Sequence, residues 1–180
     1  MAFKPLPIGV DDFAKLIGGN YYYVDKTLFI KELLDMKGEV NLFTRPRRFG
    51  KTLSLSMLQR FFENTGSEDG NKRNRELFSG LKIMEQGDHY TCHMGQYPVI
   101  NLSLKSGKQY SFEYAFGCLK EVIADEFDRH RVVGETMEIQ EDRDKYMAIA
   151  GRKGEMQDYL TALAFLSKCL FRYYGKRLLF

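Results

Sequence analysis

The chain of 180 residues has no tryptophan, four prolines and three cysteines. So little proline, with only 16 glycines, excludes a collagen-like or Pro-rich chain. Cys92, Cys118 and Cys169 are odd in number, far apart and free of any CxxC pairing. They read as reduced, cytosolic thiols and not as a disulfide frame. The longest apolar stretch, Leu160 to Phe171, is interrupted by Ser167 and Lys168, which excludes a membrane span there. The opening residues lack the apolar segment of a secretory signal. The expectation is a cytoplasmic protein with no membrane partner. Neither sign of charge dominates: 27 basic and 24 acidic residues leave a net charge of +3. That excludes a protein whose whole surface binds polyanions.

What is present is a core-forming composition, 44% hydrophobic and 28% charged, with 14 Phe and 11 Tyr. This rules out a disordered or low-complexity chain. A domain near this size buries roughly 70% of the surface that its unfolded form exposes, without metal or disulfide staples.

Hydrophobic spacing predicts helices over 10–17, 26–36, 52–63, 111–129 and 155–174. Asp25 reads as the cap of the second and Gly38 as its stop. Short strands are expected over 39–44 and 97–104, and a further apolar run begins at Leu178. Residues 64–75 read as a polar loop and the best linker candidate, and 130–154 as a polar, Gly-punctuated stretch. The organisation expected is a helical lead-in over 1–38 and a core over 39–180. Strands alternating with helices argue for an α/β, three-layer αβα fold with a mostly parallel sheet.

The sharpest motif is Arg45-Pro46-Arg47-Arg48-Phe49-Gly50-Lys51-Thr52. It matches the second half of the phosphate-binding pattern GxxxxGK[ST], between an expected strand and an expected helix, with Arg45 in place of the first glycine. Gly50 lets the backbone approach a phosphate chain, and the amides of the turn and first helical turn point at it. Lys51 would reach the terminal phosphates as a point charge, and Thr52 would offer its hydroxyl to Mg²⁺. Arg47 or Arg48 would steady developing charge. The predicted nucleotide contacts are Arg47, Arg48, Phe49, Gly50, Lys51, Thr52 and Leu53, with Thr52 on the metal. The competing readings are a solvated basic turn and a contact with nucleic-acid phosphates.

Around this loop the sequence resembles the AAA-ATPase-like family of bacterial P-loop proteins. The resemblance rests on Leu6-Pro7-Ile8-Gly9 with Asp12-Phe13 and Leu16, and on Tyr22-Tyr23-Val24-Asp25-Lys26-Thr27 with Phe29-Ile30 and Leu33-Leu34. It continues through Thr44 to Leu53, Ser56-Met57-Leu58, Phe61-Phe62 and Tyr97-Pro98-Val99-Ile100 with Leu102-Ser103. It is dense over 6–63 and sparser to about 177. It implies a P-loop NTPase fold binding ATP and Mg²⁺ through Gly50, Lys51 and Thr52, with Asp25 to Thr27 near the nucleotide or the sheet edge. It also implies a Walker B strand with carboxylates after Leu178-Leu179-Phe180, and in full-length members a nuclease-like domain of the restriction-endonuclease type. The chain is therefore expected to be an N-terminal fragment whose missing domain, or a partner chain, supplies those carboxylates. No catalytic residue is assigned, and ATP binding without hydrolysis is the expected activity. The alternative is a nucleic-acid or protein interaction module.

Other clusters read as structural. His89, Cys92 and His93 lack the second ligand pair of a zinc site, and His130 stands apart. Glu135, Glu138, Glu141, Asp142 and Asp144 alternate with basic residues, as a solvated face does. Tyr21 to Tyr23 read as core rather than as a base-stacking platform. Asp25 and Thr27, read from the residues alone, cap a helix. Ser103 reads either as a polar sensor of a phosphate or as a solvated strand end.

Overall fold

The computed structural model describes residues 4–44, 46 and 49–180, the side chain at 106 excepted. Arg45, Arg47 and Arg48 lie outside the described residues. The chain divides into two compact units, Met1–Tyr97 and Pro98–Phe180.

The first unit carries α1 (Phe13–Gly18), α2 (Leu28–Met36), α3 (Lys51–Phe62), α4 (Glu68–Glu76) and α5 (Asp88–Thr91), with a 3-10 turn at Lys82–Glu85. Asp12 caps α1 by accepting from the Lys15 amide at 2.8 Å, the ordinary work of an N-cap carboxylate. On α3, Ser56 Oγ accepts from the Phe13 amide at 3.0 Å and Arg60 pairs with Asp12 at 3.5 Å. The start of α1 is thereby fastened to the middle of α3. Between them lies an aromatic core. Phe78 meets Phe13 at 5.0 Å and Phe61 at 5.3 Å between ring centroids, and Tyr23 closes edge-on against Phe13 at 5.7 Å. Phe13, Phe61 and Phe78 are fully buried, and each contributes about 1.5–3 kcal/mol by leaving water.

The helix α4 falls in the stretch expected to be a loop. It shows no apolar stripe, and its buried residue is Asn74. Its ends explain it. Ser67 Oγ accepts from the Gly70 amide at 3.1 Å. Glu68 and Asp69 lie in the first turn and Arg73 and Arg75 in the last, which matches the helix dipole.

The second unit carries α6 (Phe112–Arg129), α7 (Arg131–Glu135), α8 (Gln140–Ala150) and α9 (Met156–Tyr174), with a 3-10 turn at Lys105–Gly107. The apolar faces of α6 and α9 meet in a core that includes Ile123, Phe127, Leu166 and Leu170. Tyr146 of α8 is fully buried at its centre, and its hydroxyl donates to the Phe127 and His130 carbonyls at 3.0 and 2.9 Å. Gly134 is required beside it: a Cβ there would sit 2.3 Å from the Tyr146 ring. Helix α8 reads poorly from sequence because its buried residues, Tyr146, Ile149 and Ala150, crowd one end behind a charged start.

The expected three-layer αβα fold with a parallel sheet is not what forms. Among the described residues there are nine α-helices, two 3-10 turns and no β-strand. Two isolated parallel bridges, Glu63 with Tyr97 and Val99 with Leu179, are the β-type pairing among these residues. The physical reason lies in where the backbone groups go, since each must find a partner or water. In the first unit Tyr97 exchanges bonds with the end of α3: its amide donates to the Phe62 carbonyl at 2.9 Å and its carbonyl accepts from Asn64 at 2.8 Å. In the second unit the Ile100 amide donates to the Leu179 carbonyl at 2.8 Å, and the Asn101 amide donates to Glu126 Oε1 at 2.9 Å. A helix end and a buried carboxylate thus take bonds that a ladder would have used. The segment 39–44 is a bend followed by irregular backbone, without strand pairing, and its Val40 and Leu42 are 90% and 85% exposed.

Candidate functional site

The glycine turn of the phosphate motif opens α3. Gly50 adopts φ +74° and ψ 23° as the residue before the helix, a left-handed conformation that side chains disfavour. Its carbonyl accepts the first helical bond, from the Ser54 amide at 2.9 Å. Among the described residues no side-chain cap bond closes α3, and the first amides of any helix lack carbonyl partners within it. Among the described residues nothing lies within 4 Å of the position that a Cβ on Gly50 would take. The start of α3 is therefore an open, positively polarised end of the kind that accepts a phosphate.

Two hollows flank this end. One, of about 240 Å³, is lined by Phe29, Asn41, Phe43, Lys51, Ser54 and Leu55. The other, of about 220 Å³, has Gly50 and Leu53 on one wall and Pro7, Tyr22 and Val24 among its remaining lining. Of the expected contacts, Gly50, Lys51, Thr52 and Leu53 form the turn itself, and Phe49 is exposed beside it. Arg47 and Arg48 lie outside the described residues. Asn41 and Phe43 were not singled out by sequence. Their signal is indirect: they stand just upstream of the motif, and Phe43 packs edge-on against Phe29 at 4.7 Å.

Asp25 and Thr27 do structural work. Asp25 Oδ1 accepts from the Thr27 amide and hydroxyl at 2.8 and 2.7 Å. Asp25 Oδ2 accepts from the Lys82 amide at 2.8 Å, and Thr27 Oγ1 accepts from the Ile83 amide at 3.2 Å. The pair ties the start of α2 to the 3-10 turn, and Thr27 is fully buried. Burial pushes the Asp25 carboxyl up, but the bonds from Lys82 and Thr27 outweigh it and hold its pKa below the ordinary carboxylate value. The side-chain cap expected of Asp25 and Thr27 is not made, Thr27 standing before α2 without a cap bond; the two residues instead brace two elements, and Lys82 and Ile83 are the half of that brace that the sequence hid.

The three tyrosines divide their roles. Tyr23 packs on Phe13 and its hydroxyl lies 3.6 Å from Met57 Sδ, whereas Tyr22 is exposed and lines a hollow. His93 Nδ1 hydrogen-bonds Tyr97 Oη at 2.5 Å, and Cys92 Sγ donates to the His89 carbonyl at 3.3 Å. Among the described residues no three His, Cys, Asp or Glu side chains gather to hold a metal. His130 is buried in the second unit with Nε2 3.0 Å from the Val99 carbonyl. In the acidic run, Glu135 pairs with Arg131 and Asp142 with Arg172, as on a solvated face. Ser103 is exposed in irregular backbone. Among the described residues no helix is long and apolar enough to cross a membrane.

Comparison with known proteins places the chain in a family. An uncharacterized protein in the vnfD 5' region of Azotobacter chroococcum mcd 1 is 39% identical over 108 residues. The match takes in 59% of this chain and 18% of that protein, so the chain spans under a fifth of the relative's length. No solved structure matches. The family model described as Predicted AAA-ATPase matches residues 7–176, a span that takes in both the glycine turn of α3 and the Asp25–Thr27 brace, and the chain belongs to this AAA-ATPase-like family.

Proposed function

We propose that the chain is an ATP-binding module, holding Mg·ATP at the start of α3. The observation that carries this reading is the Gly50 turn: a left-handed glycine, an uncapped helix end and a lysine next in sequence. The α3 amides and Lys51 bind and orient the β- and γ-phosphates. Thr52 contributes its hydroxyl to the metal's shell, and phosphate oxygens and water complete it, as is usual for Mg²⁺. A Mg²⁺ ion held there would supply charge neutralisation for the phosphates that Lys51 and the α3 amides orient. The hollow lined by Pro7, Tyr22, Val24 and Leu53 suits the base, because aromatic and apolar walls with few polar groups are the ordinary lining of a nucleotide pocket. Arg47 and Arg48, as neighbours in sequence, add attraction for the anion.

Calorimetric titration of the chain with Mg·ATP tests the reading, with Lys51→Ala alongside. Saturable binding in the wild type and a loss of at least ~100-fold in the mutant, with unchanged thermal stability, is the expected outcome. Equal affinity in the two proteins removes the assignment. The mutation leaves the fold alone because Lys51 is exposed.

A further inference from the structure

The second unit leaves a run of rings in solvent. Tyr110, Phe112 and Tyr114 are 109%, 66% and 73% exposed. One exposed ring needs no explanation, but three within five residues do, Tyr110 just ahead of α6 and Phe112 and Tyr114 in its first turn. The rings are arranged. Phe112 stacks on Phe116 with centroids 5.8 Å apart and planes 9° from parallel, the geometry in which a flat ring continues a pile. Lys120 lies over Phe116 at 5.2 Å and over Tyr159 at 5.0 Å.

The preceding loop brings further cations to the same end of α6. The 3-10 turn at Lys105–Gly107 packs against α6, and Gln109 Nε2 donates to Cys118 Sγ at 3.6 Å. Lys105 and Lys108 are thereby held beside the first turns of the helix, and Lys108 is exposed. Over residues 105–120 the sequence carries Lys105, Lys108 and Lys120 and one acid, Glu113, and the next acid, Glu121, is paired with Arg152. The start of α6 is itself capped, Ser111 Oγ accepting from the Tyr114 amide at 3.3 Å, so the helix end is not the anion site. Flat aromatic faces among lysines fit a partner that is both a polyanion and a series of flat rings.

We infer that this surface binds single-stranded nucleic acid. Bases stack on Phe112 and its neighbouring tyrosines, and Lys105, Lys108 and Lys120 take the phosphates. A duplex keeps its bases stacked on one another and offers no free faces, so the strand bound is single. The inference does not rest on nucleotide binding at the Gly50 turn.

The test is fluorescence anisotropy of a labelled oligothymidine with the full chain at low salt, repeated with a duplex of the same length. The single strand binds more tightly than the duplex. Tyr110→Ala with Phe112→Ala weakens binding by about tenfold or more, and Phe112→Tyr restores it. The log–log salt slope is about −2 and becomes shallower by about 0.7 in Lys108→Glu. All these side chains are exposed, and circular dichroism checks that each variant keeps its helices. Four results overturn the inference: no binding of the single strand, equal or tighter binding of the duplex, affinity unmoved by the ring variants, or affinity lost only in Arg47→Ala with Arg48→Ala. Self-association removed by the ring variants, without oligonucleotide binding, assigns the face to a protein and overturns it as well.

Discussion

Helices α3 and α9 begin in opposite ways. At α9 the Glu155 and Asp158 side chains and backbone amides satisfy each other in a capping box, so the protein uses its own groups to finish the helix. At α3 a left-handed glycine stands in that place and no side chain caps the end. The first arrangement stabilises a core helix and leaves nothing for a ligand. The second gives up only about 0.3 kcal/mol of capping, since glycine is itself a fair N-cap, and leaves the amides for an anion. The same division runs through the two units. The first has carboxylates, Asp12 and Asp25, held below their ordinary pKa by hydrogen bonds that outweigh burial. The second buries Tyr146 and Cys169, whose pKa values burial pushes up, that of Cys169 to about 11.

The largest expected effect separates the units by pH. A thiol at 9.0 when unfolded and about 11 when folded leaves stability intact below pH 9. The loss then grows as pH rises toward 11, by on the order of 2 kcal/mol, and Tyr146 adds to it above pH 10. For Asp12 and Asp25 the sign is reversed: their contribution is present above about pH 4 and is lost as pH falls. Urea unfolding followed by hydrogen exchange, corrected for intrinsic rates, should show α8 and α9 opening first at pH 10.5. The region around α1 and the Lys82–Glu85 turn should open first near pH 3. A Cys169→Ala chain that loses stability as steeply in base as the wild type refutes the alkaline half.

Next in size is Gly50→Ala. Nothing clashes with the new Cβ, so its cost is the left-handed backbone alone, about 1–2 kcal/mol. The strained turn shifts the α3 amides, and Mg·ATP affinity should fall about tenfold. A calorimetric titration and a urea midpoint measure the two effects separately, and unchanged affinity would break the link between the turn and the ligand.

The smallest effect is Glu155→Ala. Loss of the capping box should lower stability by about 1 kcal/mol and leave nucleotide affinity untouched. A change in that affinity would mean that the two helix starts are coupled, contrary to their separate roles.

The sequence by itself determined the helices that carry a clear apolar period, α2, α3, α6 and α9, to within two residues at each end. It also determined the Gly50-Lys51-Thr52 turn, because glycine in a left-handed position before a helix is a local requirement. It determined the family through contiguous residues such as Tyr22 to Thr27. The short α4 and α8 were hidden because caps and a few clustered contacts hold them, and neither leaves an amphipathic period. Only the tertiary structure decided that Val99 and Ile100 do not join a sheet. A strand needs a ladder that continues, and here a single bridge to Leu179 is followed at once by the Asn101 amide turning to Glu126. Tertiary structure likewise turned Asp25 and Thr27 into a brace on Lys82 and Ile83. It also brought Tyr22 and Val24 to the hollow beside Gly50, since no local spacing records which distant backbone a side chain will meet.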